Sequence, residues 1–108
     1  MVNFKEELIE LLIDLLGILS EHKQRHNVNY FIGTLKNMIA IIQNIENPEL
    51  PNECIEKLRK MYKSMFFPRD GLSDFYILDS DATYMTKCNT QFSSLLNRID
   101  ALLEEGGS

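Results

Sequence analysis

Side chains able to do chemistry fall in two places along this chain. His22 and His26 stand four residues apart, the spacing of two metal ligands on one helical face. Lys23 and Arg25 lie between them and would repel a cation, and only Glu21 is near as a third ligand, so the pair reads as a solvated connection. The second place is the stretch 66–81, F-F-P-R-D-G-L-S-D-F-Y-I-L-D-S-D, which carries Asp70, Asp74, Asp79 and Asp81 around Tyr76. Paired carboxylates can drive hydrolysis, but aspartates in a turn-rich segment more often close turns and cap helices. Nucleophilic catalysis needs a serine, cysteine or threonine against a positioned base. Both histidines sit in the polar stretch 22–27, and Cys54 and Cys88 fall on apolar helical faces, where cysteine behaves as a small hydrophobe. A di-iron bundle needs inward glutamates and a Glu-x-x-His pattern, and that pattern does not occur. The expectation is a protein with no catalytic residue, no metal and no cofactor.

What the aspartates do suit is recognition. Four carboxylates face one arginine, Arg69, and an amphipathic aromatic stands among them. Acidic groups around a tyrosine fit a hot spot for a basic protein surface. Asp70, Asp74, Tyr76, Asp79 and Asp81 are the candidate partner-binding residues, with Glu7, Glu10 and Asp14 as a second acidic patch. In the same stretch Pro68 and Gly71 make a turn, Phe66, Leu72 and Phe75 are expected to anchor it on the core, and Asp79 or Asp81 can cap the helix that follows. The net charge of −5 points the same way, since it disfavours nucleic acid and anionic membrane and favours a basic partner. Lys57, Arg59, Lys60 and Lys63 form one basic face, but Glu53 and Glu56 share its helix and no aromatic side chain joins the face for base stacking. That face is expected to be solvated or paired within the chain.

Helices must position these groups. The first is expected from Asn3, with Glu6 three residues on as in a capping box, to about Glu21. Phe4, Leu8, Leu11, Leu12, Leu15 and Leu19 share its apolar face, which Ile9, Ile13 and Leu16 widen, leaving an acidic ridge of Glu6, Glu7, Glu10, Asp14 and Glu21. The second runs from about Asn27 to Glu46 on Val28, Phe31, Ile32, Leu35, Met38, Ile39, Ile42 and Ile45, with a charge-poor outer face. Pro48 and Pro51 break the chain there. The third, capped by Asn52, reaches about Met65 and buries Cys54, Ile55, Leu58, Met61, Tyr62 and Met65. The fourth opens at Asp79 or Ser80 and runs to about Glu105, lined by Tyr84, Met85, Cys88, Phe92, Leu95, Ile99, Leu102 and Leu103. Gly106 can terminate it, and 106–108 either closes the helix or trails as a loose tail. Phe75–Leu78 fits a short extended segment or one helical turn.

At 108 residues with 44% apolar content, one domain with one core is expected over 1–108. The fold class is all-α, a four-helix bundle-like domain with an irregular loop between helices 3 and 4, packed as an antiparallel bundle or a related orthogonal arrangement. Two isolated cysteines suit a reducing compartment. The start, Met1–Glu7, lacks the pattern of a signal peptide, and no apolar run is long enough for a membrane span. A soluble, cytoplasmic protein is expected.

Three features carry a resemblance: Leu58-Arg59-Lys60-Met61-Tyr62 at a helix end, then Gly71-Leu72-Ser73-Asp74-Phe75, then a long closing helix. With the Leu/Ile-rich acidic first helix and the low pI, the chain resembles the small α-helical immunity proteins of bacterial contact-dependent growth inhibition and polymorphic toxin systems. Its link over 63–70 is longer and more aromatic than in that pattern. The resemblance implies a cytoplasmic protein that binds the C-terminal toxin domain of a delivered effector. Many such toxins are nucleases with basic clefts, which an acidic helical surface would occlude without touching nucleic acid or membrane itself. The alternative is a helical adaptor or homodimerisation module with no toxin partner, using the wide apolar face of the first helix or the bland face of the second.

Overall fold

Apolar residues spaced three and four apart set the helices. The computed structural model describes residues 4–21, 28–47, 49–66, 71–72, 77 and 80–106. They form α1 (Phe4–Glu21), α2 (Val28–Gln43), α3 (Asn52–Lys63) and α4 (Ala82–Gly106), with no strand among the described residues. The chain is all-α and bundle-like. α1 buries Leu8, Leu11, Leu12, Leu15 and Leu19, and α2 buries Val28, Phe31, Ile32, Leu35, Met38, Ile39 and Ile42. Ile55, Leu58 and Tyr62 from α3 and Phe92, Leu95, Ile99, Leu102 and Leu103 from α4 complete one continuous core.

α1 packs against α2 and α4, and α3 packs against the same two helices. Cross-helix contacts show the direction of each pair. Lys5, at the start of α1, donates to the carbonyls of Ile45 and Asn47 just past α2. Tyr30, early in α2, meets Ser64 just past α3 at 3.0 Å. Arg59 reaches Leu103 while Tyr62 reaches Leu96, so contacts run forward on α3 and backward on α4. Glu7 meets Arg98. Each neighbouring pair therefore runs antiparallel.

The helices are unequal. At about 1.5 Å per residue, the 25 residues of α4 run about twice as far as the 12 of α3. The first part of α4 thus extends beyond what α3 can cover. The connector fills that gap: Leu72 is fully buried, Ile77 is buried, and Gly71 is buried beside them.

Several boundaries differ from expectation. α2 stops at Gln43, and the chain then turns through Asn44 and Ile45, whose amides bond back to Ala40 and Ile42. Asn52 does not cap α3. Pro51 holds that position in extended conformation, and its carbonyl accepts the first helical bond from Ile55. Proline fits there because its fixed φ suits the entry and it supplies no donor to satisfy. α3 ends at Lys63; Ser64 N–H still bonds four back to Lys60, and Met65 and Phe66 then tighten the turn with bonds three back, to Tyr62 and Lys63. α4 opens after Asp81 rather than at Asp79 or Ser80, and Gly106 lies in its last turn instead of beyond it. Tyr84 is half exposed. Ile13 is equally exposed, and Phe4 and Ile45 are only partly buried. Asn3 lies outside the described residues.

Candidate partner-binding site

The acidic ridge of α1 is in place, but its members are not equivalent. Glu10 and Asp14 are exposed. Glu7 is half-buried and lies 3.6 Å from the Arg98 guanidinium of α4, so part of its charge is answered within the fold. Asp14 stands at the edge of a groove of about 640 Å³ between α1 and α4, shared with Ile18, Thr90, Gln91, Ser94, Leu95 and Arg98. Glu7, Glu10 and Asp14 follow one another at helical spacing, so one edge of α1 presents all three.

Asp81 is a helix cap. Its Oδ1 accepts from the backbone amides of Thr83 and Tyr84 at 3.0 and 3.2 Å, and its carbonyl accepts the first helical bond, from Met85. A carboxylate satisfies amides that the helix start leaves unpaired, and it complements the positive end of the helix dipole. Asp81 is also exposed, so one oxygen can cap while the group still contributes charge to the surface. Asp70, Asp74, Tyr76 and Asp79, like the expected anchor Phe75 and the pair His22 and His26, lie outside the described residues.

The connector is fixed at two points. Leu72 N–H donates to the Met65 carbonyl at 2.6 Å, closing a loop just after α3. Farther on, Asn89 of α4 clamps Ile77. Its Oδ1 accepts from Ile77 N–H at 2.8 Å, and its Nδ2 donates to the Ile77 carbonyl at 3.0 Å and to the Met85 carbonyl at 2.9 Å. An asparagine amide carries one acceptor and two donors in one plane, so it pairs with a backbone as a neighbouring strand would. Phe66 and Leu72 anchor as expected, Phe66 partly and Leu72 fully buried. Ile77 and Asn89 were not expected to do so. The signal for Asn89 was a lone amide within an apolar face made by Met85, Cys88 and Phe92.

The basic face of α3 is partly answered within the chain. Arg59 donates to the Leu103 carbonyl at 2.7 Å and lies 3.6 Å from Glu104, which also sits 3.4 Å from Lys63. Both cations sit at the C-terminal end of α4, where the helix dipole favours positive charge. Lys57 and Lys60 are exposed. Tyr62 is buried and donates to the Leu96 carbonyl at 2.9 Å, with the Phe66 ring 5.0 Å away. Burial, and secondarily the Asp100 carboxylate, push the Tyr62 phenol well above its ordinary value. Burial also raises the Cys54 thiol, against a smaller opposing effect of Lys57. A raised thiol is a poor nucleophile at neutral pH.

Among the described residues, no group of three or more His, Cys, Asp and Glu side chains is arranged to hold a metal ion. No helix among them is long and apolar enough to cross a membrane. Comparison of the chain with models of protein families, with curated proteins and with solved structures finds no match in any of the three.

Proposed function

We propose that this protein is a binding protein that neutralises a bacterial toxin domain, in the manner of the immunity proteins its sequence resembles. The partner is basic, and a nuclease with a cationic cleft is the target class that fits. Acidic surface would occlude that cleft in the cytoplasm, with no chemistry by the protein itself and no contact with nucleic acid or membrane. The observation that carries this reading is the charge of α1: five carboxylates against Lys5, whose ammonium is engaged with the carbonyls that follow α2. Glu10 and Asp14 point that charge outward. Ser64 Oγ donates to the Met61 carbonyl, and burial raises the Cys54 thiol.

A second reading, a helical adaptor or homodimerisation module, is favoured by one observation. Ile13 is half exposed, between the partly buried Ile9 and Leu16 and next to the open surface at Gly17. Light scattering separates the two, because a monomer at micromolar concentration counts against self-association.

Charge reversal tests the contact residues. Replacing Glu10 and Asp14 by lysine, and separately Asp70, Asp74 and Asp79, is expected to weaken capture of the toxin domain without unfolding the protein. Unchanged binding and unchanged protection of cells in both sets would reject the site.

A further inference from the structure

A second groove, of about 410 Å³, lies between the end of α3 and the middle of α4. Small-molecule sites reach this size, with aromatic and aliphatic walls and a few placed polar groups. The antiparallel run of the two helices orders its lining. Lys63 lies 3.4 Å from Glu104, so Lys63 and Asp100, about one turn before Glu104, share one end. Phe66, about one turn beyond Tyr62, and Ser93, about one turn before Leu96, share the other. The two ends differ in chemistry. One holds an ammonium and a carboxylate. The other holds aromatic surface, with the Tyr62 and Phe66 rings 5.0 Å apart and tilted by 60°. Phe66 and Leu96 are only partly buried, so apolar surface stays open there. The Asp100 carboxylate helps to raise the Tyr62 phenol, which sets it close to the ring wall. None of the described residues bonds to the side chains of Ser93, Asn97 or Asp100. Three hydrogen-bonding groups thus line the groove with no partner in the fold.

We propose that this groove binds a free aromatic amino acid, with its ring on Phe66 and Leu96 and its zwitterionic head between Lys63 and Asp100. One lining charge of each sign favours a ligand that carries both signs on one carbon over a ligand of net charge. The ligand ammonium donates to the Asp100 carboxylate. The Lys63 ammonium has three donors, so those not turned to Glu104 can meet the ligand carboxylate. Charge-assisted bonds of this kind are the stronger ones. At the other end, aromatic rings favour tilted or offset contacts with centroids roughly 4.5–7 Å apart, and Phe66 offers a ring edge and face beside Tyr62. Asn97 lies on the Asp100 side and can bond the head. Ser93 lies at the ring end, where it can meet a phenol or an indole N–H. The site is separate from the acidic edge of α1, and its success or failure leaves the basic-partner reading as it stands.

The test is titration of the isotope-labelled full chain with phenylalanine, tyrosine and tryptophan, followed by amide NMR. Alanine supplies the same head without the ring. Phenylalaninamide and 3-phenylpropionate each keep the ring and one of the two charges. Saturable shifts are expected at Lys63, Phe66, Ser93, Leu96, Asn97 and Asp100 with the aromatic amino acids, and none with alanine at equal concentration. Each single-charge analogue is expected to bind about threefold to fivefold more weakly than phenylalanine, as the loss of one exposed ion pair implies. Asp100→Asn is expected to weaken phenylalanine by a similar factor and to leave 3-phenylpropionate, which has no ammonium, no weaker. A merely structural role of Asp100 would weaken both ligands alike. No saturable shift in the groove with any of the three amino acids would overturn the proposal. So would equal binding of alanine, full affinity of both single-charge analogues, or an Asp100→Asn loss that fell equally on 3-phenylpropionate.

Discussion

Single residues here often do two things, and the two can be measured apart. Asp81 caps α4 and also belongs to the acidic surface. Asp81→Ala is expected to lower stability by about 1 kcal/mol, read by urea unfolding. Asp81→Asn keeps a capping oxygen, so it is expected to retain most of that stability while removing the charge. If the two variants lost the same stability, the cap would not be what Asp81 supplies. Tyr62 is a second case. Its phenol is held neutral by burial, so the folded chain binds that proton more tightly than the unfolded chain does. Stability from this group is fully present below about pH 10, the ordinary tyrosine value, and is lost as pH rises above it toward the folded value. The loss is about 1.4 kcal/mol per pH unit. Tyr62→Phe is expected to cost about 1 kcal/mol near neutrality, for the hydrogen bond to Leu96. The gap between the two proteins should then close as pH is raised past 10. A gap that stayed constant into alkali would show that the phenol is not selectively stabilised by folding.

Among the elements, the connector between α3 and α4 does the most that the helices cannot. α3 is too short to cover α4, and Leu72 and Ile77 complete the core in its place. Asn89 holds that arrangement through the backbone of Ile77. Asn89→Ala leaves a buried amide and carbonyl without those partners, an expected loss of about 1–3 kcal/mol. It should also speed hydrogen exchange at the Ile77 amide while exchange in the middle of α1 follows only the global change. Unchanged exchange at Ile77 would mean that the clamp does not hold the connector. The helices themselves were legible in the sequence, because apolar spacing on α1 and α2 reports burial directly: every predicted core residue of α2 except Ile45 is buried. The ends were less legible. Pro51 took the cap position expected of Asn52, and of the two caps expected for α4, Asp79 and Asp81, it is Asp81 that accepts from the first helical amides, since several capping-competent residues crowd each boundary and only packing chooses among them. The side-chain clamp was not legible at all. It joins positions twelve apart, and no local pattern encodes which backbone an asparagine will pair with. Of the candidate contact residues, Glu10 and Asp14 reach the surface as the periodicity implies, while the pairing of Glu7 with Arg98 depends on which helix lies beside α1.

For the whole molecule, the bundle is a slab of 45 × 30 × 22 Å with one core. α1 is central to it, packed on α2 and α4 and still carrying carboxylates on its outer side. That position leaves one face of the element to stabilise the fold and the other open, as the proposed inhibitor function requires. Long-range attraction between this surface and a cationic cleft would raise the association rate, and salt would lower it. The proposed function is tested most directly by titrating the chain with candidate basic toxin domains from the same genome, recording complex formation by calorimetry and toxin activity in the same samples. The account predicts a one-to-one complex in which activity is abolished at equivalence, and an association rate that falls as salt is raised. Full toxin activity in the presence of excess protein, with no heat of binding, would contradict it.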